Sequence, residues 1–372
     1  MSIVSYTIMY IFFAYRVGLS VFKKYALIFA VPIFETFISL FNNGTESFSA
    51  YLYGLLQFFI WSFVCEYITN NKKNRSLKSV YVLLCVTILV TTITTYYGCL
   101  LMPGASRQMA TGMNDDRELM AVFANLNIGG FGFVYTLVLL LPFLFYTIRY
   151  LTDNLLKKII IIIATGIVSL TIYTTEYSTA ILFALLSVSI LFLPKQLKLQ
   201  NITFVIAGVT IVGVILSSIL PSFFSAFSSA TESYNISIRM EELGNMMSGS
   251  STSGDVQGRI DLWYLSLYNF IHNPIFGTGN GGGGHSYILD TLSKFGIWGL
   301  ALVIIQFKAI YNLFVKPYLR TNYSTLFVFV YMVNFLFCIV NTYCYFNIFL
   351  LFMPLFIVFH EKTNSDTVFI LK

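Results

Sequence analysis

Residues 157–198 read KKIIIIIATGIVSLTIYTTEYSTAILFALLSVSILFLPKQLK. Two lysines open the stretch, and Lys195 and Lys198 close it. Between them lie two apolar runs, 159–175 and 178–193, parted by Glu176. A helix needs roughly 20 mainly apolar residues to cross a bilayer. The pattern is therefore a transmembrane hairpin, with its basic ends on one side and Glu176 at the other. Lys and Arg gather on the cytoplasmic side of membrane proteins, so the Glu176 turn faces outward.

The same alternation extends in both directions. Further apolar runs lie near 3–22, 25–41, 48–68, 79–101, 127–148, 201–220, 287–314, 323–341 and 344–359, for about eleven spans in all. One set of connections is basic. It holds Lys23-Lys24, then Lys72, Lys73, Arg75 and Lys78, then Arg149, Lys157 and Lys158, then Lys316 and Arg320, then the tail with Lys362 and Lys372. The other set is 42–47, 102–126, Glu176, 221–286 and the turn at 341–343, and it carries few cations. The count puts the C-terminus inside and the N-terminus outside.

Composition agrees. Charged residues are 10% of the 372, against about 25% in soluble domains, and the mean hydropathy is +0.77. So little charge cannot solvate a water-facing surface. An ordinary cytosolic enzyme, a disordered chain and a nucleic-acid-binding domain are excluded. The 37 Phe and 25 Tyr suit side chains that meet lipid and its interface. The five cysteines lie in or beside apolar runs without CxxC or Cys/His spacing, so buried thiols are expected rather than a metal or redox framework. No removable signal peptide and no lipidation motif are read.

Three regions follow: an N-terminal bundle of about eight spans over 1–220, an outer loop over 221–286, and a C-terminal set of about three spans over 287–372. Within the loop, Ile236, Met240, Leu243 and Met247 recur at helical spacing, and so do Val256, Ile260, Trp263, Leu267 and Phe270. Each set predicts a short amphipathic helix at the membrane surface. The second should stop at Asn273, because Pro274 follows.

The outer face has few cations: Arg107, Arg117, Arg239, Arg259 and Lys294. Arginine grips phosphate through a planar fork of donors and stays charged at any working pH. Such groups suit a pyrophosphate at the membrane surface; the blander reading pairs them with nearby acids. Arg259 and Trp263 fall four apart on one helical face, where the indole anchors the helix at the interface. Asp115, Asp116 and Glu118 read as solvated loop acids before they read as metal ligands. Glu35, three residues after Pro32, is the best candidate for an internal polar contact, with Glu66 and Glu176 at span ends.

Residues 273–286 run Asn-Pro-Ile-Phe-Gly-Thr-Gly-Asn-Gly-Gly-Gly-Gly-His-Ser. Such a run can present backbone N–H groups to an anion or bend round a sugar, or it can be a plain linker. His285 ends it. His285 is expected to open the next helix and to share a face with Leu289, Leu292 and Gly296. A neutral imidazole is the side chain best suited to taking a proton near neutral pH. His272 lies at a helix stop and His360 at the inner boundary.

The stretch from Arg259 to Gly299 resembles the bacterial O-antigen polymerase and O-antigen ligase superfamily. The residues that carry the resemblance are Arg259, Trp263, Asn273, Pro274, Gly277, Gly279, His285, Ser286, Leu289, Gly296 and Gly299. The outer loop Pro103–Arg107 looks like the Arg-bearing loop of capsule-type polymerases. The run Gly281–Gly284 departs from the family, which carries more varied residues there. The resemblance implies a metal-independent, cofactor-free glycosyltransferase of the bacterial cytoplasmic membrane that works on the outer face. Its implied donor is a glycan on undecaprenyl pyrophosphate, and its acceptor is a sugar hydroxyl of another repeat unit, for O-antigen, lipopolysaccharide or capsule assembly. His285 and Arg259 are the implied catalytic pair. Arg107, Arg239, Trp263, Gly277, Gly279 and Ser286 are the implied substrate contacts. The bilayer and, by analogy, a chain-length regulator are the partners. A ligase that transfers to a lipid acceptor stays open as the alternative. So does a flippase, although a flippase would be expected to carry more intramembrane charge and detectable repeats.

Overall fold

A computed structural model of the chain describes residues 3–40, 45–71, 75–102, 104–107, 121–123, 125–196, 241, 255–279 and 282–360. All regular structure among the described residues is helical. The helices are α1 (Ile3–Val17), α2 (Ser20–Tyr25), α3 (Ala30–Ser39), α4 (Thr45–Asn70), α5 (Arg75–Leu101), α6 (Phe131–Tyr146) and α7 (Leu155–Thr174). After them come α8 (Ser178–Val188), α9 (Asp255–His272), α10 (Tyr287–Phe295), α11 (Ile297–Ile310), α12 (Ser324–Val340) and α13 (Met353–His360).

Five helical stretches among the described residues are long and apolar enough to cross a membrane: Tyr51–Asn70, Arg75–Leu101, Phe131–Leu151, Leu155–Thr174 and Ile297–Tyr318. A sixth is reached if the pair Ile8–Val17 and Ser20–Ser39, bent by 92°, counts as one span. The expected eleven are therefore not confirmed among the described residues. The first two apolar runs are this bent pair, and the bend falls at Gly18, whose φ is +90°. The run 287–314 is not one span, because Gly296 breaks it into α10 and α11. Apolar helices at Thr179–Leu191, Ser324–Val340 and Ile348–His360 fall short of a full crossing length. The run 201–220 and nearly all of the amphipathic segment 234–247 lie outside the described residues. Apolar composition sets which segments leave water; Gly18 and Gly296 then set where α1 and α10 end.

The hairpin that opened the sequence reading is met in part: α7 is long and apolar enough to cross a membrane, and α8 is not. Asn154 caps α7 by accepting from the Lys157 backbone N–H at 3.2 Å. Glu176 makes the turn to α8 in the left-handed region, with φ 59°. Outward sides of α5 and α7 expose Leu83, Val86, Val90, Ile160 and Ile163, as faces turned to lipid would. Helix α9 ends at His272, one residue before the expected stop. Four of the five thiols are buried and all five are free, as their apolar settings predict.

The chain divides into two compact units. The first comprises Met1–Leu84, Leu262–Pro317 and Asn334–Lys372. Its core is aromatic: Phe29 stacks on Phe58 at 5.5 Å, and Phe346 meets both rings edge-on. Glu66, at the end of its span, accepts from Lys24 Nζ at 2.6 Å and from the Tyr25 hydroxyl at 2.8 Å. The second unit comprises Cys85–Asp261 and Tyr318–Val333. Its centre is α6, where the run Leu137–Leu141 is buried throughout. Threonines tie its helices together without charge: the Gly129 N–H donates to Thr95 Oγ1 at 2.7 Å, and Thr171 Oγ1 to the Thr92 carbonyl at 3.3 Å.

Candidate active site

In the first unit, the Gly-rich stretch and α10 form one device. A helix leaves unpaired N–H groups at its start and unpaired carbonyls at its end. Here the preceding loop satisfies both ends. At the start, Ser286 is the N-cap, and its Oγ accepts from the Leu289 N–H at 3.2 Å. Asp290 in the first turn reaches back and accepts from the Ser286 N–H at 3.0 Å, in the manner of a capping box. At the end, the Thr278 N–H donates to the Ser293 carbonyl at 2.9 Å, and the Gly279 N–H to the Lys294 carbonyl at 3.0 Å. Gly277 and Gly296 make this approach feasible. Both have positive φ, and a Cβ on either would lie within 2.6 Å of backbone atoms of the facing segment.

His285 stands in the loop and does not open the helix, which corrects the expected register with Leu289, Leu292 and Gly296. The reason is local: Ser286 is the better cap, and its extended backbone (φ −149°, ψ 116°) puts His285 one residue outside the helix. The loop around His285 is held on both sides. The Gly284 N–H donates to Asp290 Oδ1 at 3.2 Å, and Ser286 is held by Oδ2. From α9, Trp263 Nε1 donates to the His285 carbonyl at 3.2 Å. Ser266, one turn further on, donates from Oγ to Asp290 Oδ1 at 2.7 Å and accepts from the Gly283 N–H at 2.8 Å. The imidazole itself is partly exposed. The other two histidines have structural settings: His272 Nδ1 lies 2.9 Å from the Tyr268 carbonyl of its own helix, and His360 packs on Phe356 and Tyr81.

Glu35 finds its partner in this unit as well. Lys294 Nζ lies 3.1 Å from Glu35 Oε1 and 3.2 Å from the Tyr51 hydroxyl. Burial works to lower the lysine's pKa. Glu35 and then Tyr51 outweigh it and leave the pKa above its ordinary value, so the ammonium stays charged at neutral pH.

In the second unit, Arg259 and Arg107 flank one aromatic cluster. Arg259 Nη1 donates to Thr179 Oγ1 at 3.2 Å. Thr179 is also bonded to Tyr135, which feels the Arg259 charge. Tyr135 and Tyr177 lie 6.1 Å apart, with Phe131 edge-on to both. The Tyr177 hydroxyl donates to the Ser106 carbonyl at 3.1 Å, next to Arg107 in the chain. Burial pushes Tyr177 up to about 12, and Arg107 acts on it in the opposite sense. Tyr177 therefore stays a neutral hydrogen-bonding group, and the guanidinium groups supply the positive charge.

Residues 159–304 match the family model of the O-antigen ligase. The segment is similar to an O-antigen ligase domain. No curated protein and no solved structure gives a significant match. The domain contains Arg239, Arg259, Trp263, Gly277, Gly279, His285 and Ser286, so the resemblance read from Arg259–Gly299 is borne out at the level of the superfamily. Arg107 precedes the domain. Members of this family are glycosyltransferase-like enzymes that act as O-antigen polymerases or ligases, and a multi-pass membrane protein is the setting that the family and the apolar helices share.

Of the residues singled out in the sequence, Trp263, Gly277, Gly279, His285 and Ser286 meet in the first unit around α10 of the O-antigen ligase domain. Arg259 and Arg107 lie in the second, beside different members of one tyrosine cluster. Arg239, Arg117, Asp115, Asp116 and Glu118 lie outside the described residues. The Gly277 and Gly279 amides donate to the Asn273 and Lys294 carbonyls, so these glycines shape the loop rather than offer their N–H groups to an anion. Sequence reasoning passed over Asp290 and Ser266, which hold the His285 loop. A signal existed for Asp290, an acid in the first turn after a Ser cap. Ser266, Thr179 and Tyr135 carried none, because each acts through a contact distant in sequence.

Proposed function

We propose that the protein polymerises lipid-linked oligosaccharide repeat units on the outer face of the bacterial cytoplasmic membrane. A glycan on undecaprenyl pyrophosphate is the donor. A sugar hydroxyl of another repeat unit attacks its anomeric carbon, the bond from that carbon to the pyrophosphate oxygen breaks, and undecaprenyl pyrophosphate leaves. His285 takes the hydroxyl proton on a ring nitrogen. Arg259, with Arg107 and Arg239, stabilises the negative charge that develops on the leaving pyrophosphate. In this reading arginines do the work a metal ion does elsewhere, and segment 221–286 is the extracytoplasmic loop that carries the site. Trp263 sets the His285 carbonyl, and Ser286 caps the helix that follows.

The observation that carries the reading is the fixed His285 loop inside an O-antigen ligase domain. A structural linker has no need of an acid, an indole and a serine converging on it. Arg107 beside the same aromatic cluster as Arg259 favours polymerase over ligase, since the outer loop Pro103–Arg107 resembles that of capsule-type polymerases. A chain-length regulator would act on such a polymerase.

Complementation of a polymerase-deleted strain tests the proposal, with surface polysaccharide read on a gel and expression checked in parallel. Wild type restores a ladder. His285→Ala and Arg259→Ala leave a single-repeat band, each with a loss of about 100-fold or more. Single transfer by wild type without a ladder would favour the ligase, and an unchanged ladder from His285→Ala would remove the base assignment.

A further inference from the structure

The first unit contains a cavity of about 290 Å³ that no part of the proposed chemistry uses. It lies between α3, α4, α10 and the segment 342–346 that follows α12. Its polar lining is Glu35, Tyr51, Asp290, Thr291, Lys294 and Thr342, and its apolar lining includes Phe58 and Phe346.

We infer that this cavity is the subsite for a sugar ring of the acceptor glycan, an inference that rests on the glycosyl-transfer reading above. Size is the first argument. Ligand sites begin near roughly 300 Å³, so this one admits about one or two pyranose rings and no polyprenyl chain. Charge is the second. Lys294 is already paired to Glu35 at 3.1 Å, and Asp290 adds a second carboxylate. The lining therefore sums to a negative charge, which repels a phosphate or pyrophosphate and suits hydroxyl donors. The third argument is the mixture of groups. Carboxylates, hydroxyls and an ammonium set above aromatic rings match a sugar, whose edges hydrogen-bond and whose C–H face stacks on apolar surface. The fourth is connection to the chemistry. Asp290 lines the cavity, and its carboxylate oxygens hold Gly284 and Ser286, the residues on either side of His285. A ring seated in the cavity thus rests against the residue that fixes the proposed base. A purely structural Glu35–Lys294 bridge would explain the pair, but not the open space and the hydroxyls beside it.

The test uses the full-length protein in nanodiscs. The probe is the repeat-unit oligosaccharide released from the host lipid carrier by mild acid. Saturation-transfer NMR reads its binding, and undecaprenyl phosphate is measured as a separate ligand. Glu35→Gln removes one carboxylate charge. Tyr343→Ala alters the 61% exposed rim and leaves the salt bridge in place, so it is not expected to compromise folding. Both variants should weaken oligosaccharide binding and raise the acceptor KM, Glu35→Gln by about tenfold, the equivalent of one lost hydrogen bond to a charged group, and Tyr343→Ala by about fivefold, that of a neutral one. Undecaprenyl phosphate binding and the donor KM should not move. If both variants bind the oligosaccharide as wild type does, or if undecaprenyl phosphate binding falls instead, the subsite is refuted. If wild type binds the oligosaccharide, the variants do not, and wild type transfers no sugar, the subsite stands and the glycosyl-transfer reading falls alone.

Discussion

At the scale of single residues, Trp263 separates two roles that sequence cannot. An interfacial tryptophan anchors a helix through its ring alone, and phenylalanine fulfils much of that role. Here the indole N–H also donates to the His285 carbonyl. Trp263→Phe keeps the apolar body and removes one hydrogen bond, worth about 1 kcal/mol. The expected outcome is normal membrane insertion with kcat reduced by about fivefold, measured as turnover per inserted protein. Turnover equal to wild type would return Trp263 to lipid anchoring. Much of this site was legible in advance. His285, Arg259 and Trp263 stood out because the outer face carries few residues of their kinds. Asp290 and Ser266 did not, since an acid and a serine are common in any loop and their importance lies in whom they touch.

At the scale of elements, the helix ends are the least legible feature. Apolar periodicity runs unbroken through 287–314, yet Gly296 divides it by taking a φ of +60°. No L side chain adopts that conformation without strain of roughly 1–3 kcal/mol. A Cβ there would also lie 2.6 Å from the Ile275 carbonyl carbon. Gly296→Ala is expected to destabilise the α10–α11 junction by at least about 2 kcal/mol, read as a lowered Tm in detergent together with loss of transfer activity. The contrasting position is Gly258, on the exposed surface of α9 with open space around it. Gly258→Ala should gain helix propensity of about 1 kcal/mol and melt no lower than wild type. Equal melting of all three proteins would show that the division at Gly296 is unimportant. The crossing length expected of α8 is not met, whereas the turn between α7 and α8 was read correctly because Glu176 interrupts two apolar runs there. The bent pair at Gly18 was not, since hydropathy is blind to a kink.

At the scale of the whole molecule, composition decided the class, and the match of residues 159–304 to the O-antigen ligase model supports the superfamily. Two kinds of polar group emerge from an otherwise apolar chain. Arg259 and Arg107 lie by a tyrosine cluster in one unit, and a carboxylate-held histidine loop stands beside a sugar-sized cavity in the other. The first set suits a departing pyrophosphate, and the second suits an attacking hydroxyl. The central claim is that this protein transfers a glycan from a lipid pyrophosphate to a sugar hydroxyl. Purified protein in proteoliposomes, supplied with lipid-linked repeat unit alone, tests it directly through the coupled appearance of glycan ladders and undecaprenyl pyrophosphate. The account predicts both products from wild type in equal molar amounts of linkage and released lipid, and neither from His285→Ala. Wild type that yields neither product, or His285→Ala that yields both at the wild-type rate, would contradict it.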